Sequence, residues 1–272
     1  MELLCPVCGQ PLQREDHCWR CENRHSFDIA RQGYVNLLTV DRKHAKHPGY
    51  TKEMVAARKR FLDGGFYRPI ADKVIALTAP RKPGTVLDAG CGEGYYLTQL
   101  QAVLPETQFA GLDISKDAVR FAAVRNKRAL WLTGTAAVLP FPAETFDGVL
   151  SMFALTMEAE FARVLKPGGW YLQVIAGPEH LMGLKQIIYP EILRKDKVLH
   201  DDLAGFRLER TETLEFSFTL DEQAQVQNLL SMTPHFWRIS KDGAARLAAT
   251  EHLTDTAQVI FNLYCKESSH AG

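Results

Sequence analysis

No excess charge of either sign marks this sequence, since Lys and Arg number 32 and Asp and Glu also number 32 among 272 residues. The simplest electrostatic form of a nucleic-acid binder, one large basic excess, is therefore excluded, and any basic surface has to be local. No run approaches the roughly 18 consecutive apolar residues that a membrane helix requires. The chain passes from MELL directly into CPVCG, without a basic segment followed by an apolar one, so neither secretion nor a membrane is expected. Internal repeats and low-complexity stretches are also missing. With 46% hydrophobic and 24% charged residues, the composition is that of a soluble globular protein. Its length fits one or two domains of about 100 to 200 residues each. A cytoplasmic location is expected.

Cysteine is scarce after the first 21 residues. Of six cysteines, four stand at 5, 8, 18 and 21, and the others at 91 and 265. In a reducing compartment such crowding favours thiolate metal ligands over disulfides. Cys5-x2-Cys8 and Cys21-x3-His25 form two ligand pairs at a spacing suited to tetrahedral zinc, and Cys18-x2-Cys21 offers a competing second knuckle. Either Cys18 or His25 completes the set on spacing alone. A closed four-ligand site implies a structural metal. Residues 1–40 are too few to build an apolar core, so zinc would staple them into a separate module.

Residues 41–83 read as a basic linker followed by two helices, TKEMVAARKRFLDGG and YRPIADKVIALTAP. Across 41–60, seven basic residues face two acidic ones, a local excess that suits RNA phosphate contacts or a solvated linker equally. From 84 to 272, strands alternate with helices, which predicts a parallel sheet covered by helices on both faces. The strands are GTVLDAG, QFAGLDI, ALWLTG, FDGVLSMF and, after a KPGG turn, WYLQVIAG. A helical segment LMGLKQIIYPEIL, the alternating stretch FRLERTETLEFSFTL and a final VIFNLYC place late, partly antiparallel strands at one edge.

The densest chemistry lies in VLDAGCGEGYY. Asp88 ends a strand, and Gly90, Gly92 and Gly94 allow a tight turn that a ligand can approach, just before a helix amino terminus. The spacing is neither GxGxxG nor a GK[ST] phosphate loop. Nineteen residues after Gly94, Asp113 ends the next strand, where a carboxylate can accept the two ribose hydroxyls of a nucleoside. Together with LPFPAETFDGVLS and ARVLKPGGWYLQV, these strings resemble the class I S-adenosylmethionine-dependent methyltransferases over residues 84–176. The resemblance implies a Rossmann-like α/β sheet, with methionine near Asp88 to Gly92 and adenine near Thr135 and Ala136. Thr135 stands where many relatives carry an acid.

Ser151-Met152-Phe153-Ala154 replaces the [DNS]PP[YF] string of exocyclic amino methyltransferases, which argues against that chemistry. Phe153 is either a base-stacking face or a core aromatic, and Trp237 is expected in the core. The strings CPVCGQPL, RHSFDIARQGYVNLL, FLDGGFYRP, GPEHLMGLK and MTPHFWR extend the resemblance over nearly the whole chain, to the bacterial 23S rRNA (guanine-N1)-methyltransferases. That family implies zinc on Cys5, Cys8, Cys21 and His25, and cofactor contacts that include Tyr67, Gly92, Glu93 and His180. It also implies a homodimer whose zinc modules help form a cleft for a 23S rRNA hairpin, with no DNA or membrane partner. Guanine N1 carries a proton that something must accept. Glu158 and Glu160 follow the fourth strand, but a solvated helix face explains them better, and the base is left unassigned. Two further readings are a methyltransferase of a small metabolite with a purely structural zinc module, and a binding module with a vestigial cofactor fold.

Overall fold

The computed structural model describes residues 1–39, 51–192 and 199–267. Residues 41–50, which carry the linker and half of the basic window, lie outside that set. Four short strands, β1 (Leu3–Leu4), β2 (Pro11–Arg14), β3 (Cys18–Arg20) and β4 (Ser26–Asp28), form an antiparallel sheet in that order. Strand β5 (Tyr34–Asn36) leaves this sheet. It pairs in parallel with β8 (Leu130–Thr133), so part of residues 1–40 belongs to the main sheet.

The remaining main strands are β6 (Thr85–Ala89), β7 (Gln108–Asp113), β9 (Phe146–Met152), β10 (Leu165–Ala176), β11 (Phe206–Leu220) and β12 (Leu253–Lys266). Their order is β11-β12-β10-β9-β6-β7-β8-β5, with β12 antiparallel to both β10 and β11 and the other pairs parallel. The late antiparallel edge expected from the sequence is present. Parallel strands buried on both faces read as apolar runs, as in Val86-Leu87 and Val149-Leu150, all fully buried. The KPGG segment lies within β10, where the register shifts between Leu165 and Trp170. It therefore acts as an irregularity in a strand and not as a turn before one.

Helices α1 (Lys52–Asp63), α2 (Arg68–Thr78), α3 (Tyr95–Val103), α4 (Lys116–Arg125) and α5 (Glu158–Val164) precede β10, and α6 (Met182–Ile188), α7 (Gln223–Ser231) and α8 (Lys241–Ala248) follow it. The Thr51 hydroxyl caps α1 by accepting from Met54 N, and Pro69 opens α2, where its missing N–H costs nothing. Helix α6 stops at Ile188, two residues before Pro190 and short of the expected extent, because a residue preceding proline disfavours helical geometry. Two apolar clusters make the core. One joins α1, α2 and α3 to one sheet face, and the other joins Leu3, Leu12 and two cysteines of the small sheet to Phe141, Phe146 and Tyr171. A Leu4 N–H bond to Pro140 O at 2.9 Å anchors the small sheet to the large one.

Candidate functional site

The chain turns at the carboxyl end of β6, where the strand order reverses between β7 on one side and β9 on the other. Such a switch point leaves a crevice outside the strand ends. Gly90, Gly92 and Gly94 all have positive φ, at 90°, 54° and 75°. A Cβ on Gly90 would lie 2.6 Å from the Ala154 Cβ, so both conformation and space demand glycine. Asp113, at the end of β7, accepts from Gly92 N at 2.9 Å and from Ser115 N at 2.8 Å, and so ties two strand ends together. Thr135 and Ala136 follow β8 beside it: Gly134 N donates to Asp113 O at 3.0 Å, and the Thr135 hydroxyl accepts from Ala137 N at 3.2 Å.

Three carboxylates crowd this turn. Asp88 and Glu93 are each 1% exposed, and one Asp88 oxygen is buried without a hydrogen-bond partner among the described residues. Burial, reinforced by the charges of Asp113 and Glu93 and opposed by Arg58, pushes the Asp88 carboxyl up to about 8. Asp113 is raised as well, chiefly by burial, against the lowering effect of its two backbone N–H donors. The cationic partner comes from α1, where Arg58 Nε donates to Glu93 Oε2 at 3.0 Å. Arg125 of α4 donates to the Glu93 carbonyl at 3.1 Å and pairs with Asp63 at 2.7 Å. An acid-rich, partly unsatisfied cradle of positive-φ glycines suits a ligand carrying an ammonium group and ribose hydroxyls, which is the donor set of S-adenosylmethionine.

Beside the turn opens a cavity of about 990 Å³. Arg58, Tyr67, Phe153 and His180 are among the residues that line it. The Tyr67 hydroxyl lies 3.2 Å from His180 Nε2, and the Phe153 ring stands 6.5 Å from Tyr67 and 6.1 Å from His180. Phe153 and Leu181 are non-glycine residues with φ of 55°, a strained geometry that clusters at ligand sites. Asp255 of β12, accepting from Gly183 and Leu184 N–H at 2.9 and 2.8 Å, holds the segment that carries His180. Tyr189, His235 and Arg238 line the same cavity.

One sequence expectation, for Trp237, is overturned here, and two readings left open by the sequence can be described further. The described basic residues of the 41–60 window are largely engaged within the chain, with Lys59 bonded to Asp63 and Arg60 to Asn228. Glu160 is held by Arg163 and Leu139 N, and Glu158 accepts from Ala204 N; neither lines the cavity. Trp237, expected in the core, is 63% exposed and packs edge-on to Phe236 at 5.1 Å. Its place in a short 3-10 turn after Pro234 holds it outside the helix faces that build the core. Arg58 was visible in the sequence only as one charge among seven. Its pairing with Glu93, 35 residues away, leaves no local signal.

In the small sheet, the donor atoms of Cys5, Cys8, Cys21 and His25 lie within 4.8 Å of one another. His25 Nδ1 is 3.5 Å from Cys5 Sγ and 3.4 Å from Cys21 Sγ, and the Cys8 and Cys21 sulfurs are 3.7 Å apart. A tetrahedral zinc with Zn–S of about 2.3 Å and Zn–N of about 2.0 Å has edges of about 3.8 and 3.5 Å, so the cluster has the dimensions of that ion's shell. Cys18 is excluded. Its thiol points to Glu15 at 3.4 Å, on the strand that starts the second knuckle.

This sheet, site and cluster define an S-adenosylmethionine-dependent methyltransferase domain carrying a structural zinc ribbon. The "Methyltransferase domain" family model matches residues 86–169, and the zinc-ribbon model described as "RlmA, N-terminal" matches residues 3–46. A solved structure from Bacillus halodurans C-125, provisionally classed as a methyltransferase, shares the fold, with a TM-score of 0.50 and 20% identity over 73% of this chain and 99% of its own. A Streptomyces fradiae protein named 23S rRNA (guanine(748)-N(1))-methyltransferase is 36% identical over 91% of this chain and 90% of its own length. One from Micromonospora griseorubida, provisionally named a 23S rRNA (guanine-N(1)-)-methyltransferase, is 37% identical over 96% of each. The chain belongs to the 23S rRNA (guanine-N1)-methyltransferase family. Among the described residues, no helix is long and apolar enough to cross a membrane.

Proposed function

We propose that this protein transfers the methyl group of S-adenosylmethionine to N1 of a guanine in a hairpin of 23S ribosomal RNA, acting in the cytoplasm as a homodimer. The observation that carries the reading is identity of 36 to 37% over nine-tenths or more of the chain, through both the zinc ribbon and the cofactor domain, to relatives named for that reaction. A small-molecule acceptor is not favoured by these relatives.

In this reading Asp88, Gly90, Gly92 and Glu93 form the methionine side of the cofactor site, Asp113 takes the ribose, and Thr135 and Ala136 border the adenine. Tyr67 and His180 close the side facing the cavity. Cys5, Cys8, Cys21 and His25 hold the zinc, which keeps the ribbon folded for RNA docking. The bound cofactor supplies an already activated sulfonium methyl. The protein's task is then alignment and exclusion of water. Arg58 holds Glu93 and so fixes the turn. The strained Phe153 offers an aromatic face to the entering base, Arg238 on the cavity lining suits a phosphate, and the exposed Trp237 beside it in the chain suits a neighbouring base.

Mass-spectrometric nucleoside mapping of 23S rRNA from cells with and without the gene tests the proposal. Loss of one 1-methylguanosine on deletion, restored by purified protein and S-adenosylmethionine, is expected. An unchanged map, with cofactor binding intact, would move the activity to another acceptor.

A further inference from the structure

The zinc ribbon meets the methyltransferase domain on both sides of one short segment. Residues 134–139 run from the end of β8 into the LPFP string and carry Thr135 and Ala136, the proposed adenine border. On one side, β5 pairs with β8 as far as Asn36 opposite Thr133, and Leu37 N donates to Thr133 O at 2.8 Å. On the other, Leu4 N of β1 donates to Pro140 O at 2.9 Å. Both grips come from residues 1–40, which the cluster of Cys5, Cys8, Cys21 and His25 staples together.

The apolar packing repeats this arrangement. Leu139 is buried in one cluster with Leu3, Leu37 and the zinc ligands Cys5 and Cys21, and Ala136 packs against that cluster. Between its buried ends, Thr135 and Ala136 are half-buried, and Ala137 and Val138 are exposed. From the domain side, Glu160 accepts from Leu139 N at 2.6 Å, and Arg163 donates to Leu139 O and Phe141 O at 2.9 and 2.7 Å. Two short steps join the segment to the cofactor turn: Gly134 N donates to Asp113 O at 3.0 Å, and Asp113 accepts from Gly92 N at 2.9 Å.

We propose that the zinc ribbon fixes the adenine segment of the cofactor site, so that cofactor affinity depends on zinc with no RNA present. The inference rests on the placement of adenine at Thr135 and Ala136 given above. A loop tied at both ends has fewer conformations to give up when a ligand settles on it, and losing one tie returns that ordering cost to binding. Glu160 and Arg163 are positioning residues for the far end of the segment. Coupling between two sites is reciprocal, so bound cofactor tightens zinc by the factor with which zinc tightens cofactor. A ribbon that served RNA docking alone would show neither effect.

The test is calorimetric binding of S-adenosylhomocysteine to the full-length protein without RNA, with zinc loaded, stripped by a chelator and restored. Stripping should weaken binding about tenfold, within the usual range for coupled sites, and restoration should recover it. Chelator competition on the wild type should show zinc held about tenfold more tightly when S-adenosylhomocysteine is saturating. Arg163→Met should weaken cofactor binding while keeping one zinc per chain, Arg163→Lys should weaken it less, and Cys18→Ser should leave it unchanged. Zinc-stripped protein with wild-type affinity overturns the inference. Where stripping unfolds the chain, zinc retention unmoved by S-adenosylhomocysteine overturns it instead. Thr135→Trp, which fills the adenine space, tests the underlying placement, and full affinity in that variant would overturn it. Both couplings present without methylation of 23S rRNA would support the inference while overturning the proposed substrate.

Discussion

Replacing Arg58 by Met tests whether the cofactor turn is held by a buried charge pair. Glu93 is 1% exposed and its Arg58 partner 17%, at 3.0 Å, so removal of the guanidinium strands a carboxylate in the interior. Breaking such a pair costs about 3 kcal/mol, the low end for buried pairs because Arg58 keeps some contact with solvent. Glu93→Gln retains an acceptor for Arg58 and sheds the charge, so it should cost less. The double variant should be more stable than Arg58→Met alone, giving a coupling energy of about 1 to 2 kcal/mol in a double-mutant cycle by denaturant unfolding. Arg58 also lowers both Asp88 and Asp113, so its loss should raise both carboxyls and weaken S-adenosylmethionine binding at neutral pH by calorimetry. A loss below about 1 kcal/mol with no coupling would refute the claim that Glu93 is a charge held by Arg58.

Three further outcomes follow from the same geometry. Cys21→Ser or Cys5→Ser should lower zinc content and RNA affinity, whereas Cys18→Ser should keep one zinc per chain by elemental analysis; equal losses in all three would contradict the donor set. Trp237→Ala should weaken RNA binding by about 10- to 100-fold, the value of one stacked base, with cofactor affinity unchanged, and an unaltered RNA titration would return Trp237 to an idle surface role. Cofactor affinity should rise with pH toward about 8 as Asp88 ionises, with proton release on binding that disappears in Asp88→Asn. The sign for folding is the reverse: the unfolded chain gives up the Asp88 proton near 3.8 and the folded one near 8, so without ligand this group's contribution to stability falls across that window and levels above it. Equal proton release by wild type and Asp88→Asn would contradict the role given to Asp88.

The alternation of apolar strands with helices, the D-x-G-C-G-E-G turn and the cysteine pairs are short-range patterns. They depend on periods of two and 3.6 residues and on spacings of a few positions, so the sequence alone determined a parallel sheet, its cofactor-binding turn and a metal module. Asp113 was equally legible because strand ends in such a sheet line up at one edge. Tertiary structure decided what depends on distant partners. His25 over Cys18 follows from which donor the folded knuckles bring within about 3.5 Å, and spacing permitted both. Arg58 became part of the turn because α1 packs over it, and Tyr67 meets His180 across 113 residues of chain. Trp237 moved from an expected core position to the surface, and β5 crossed from the ribbon to the main sheet. Tyr189 and His235, hydrogen-bonded across 46 residues, likewise have no signature in the chain. Contacts of that range are set by how helices pack on the sheet, which local periodicity does not encode.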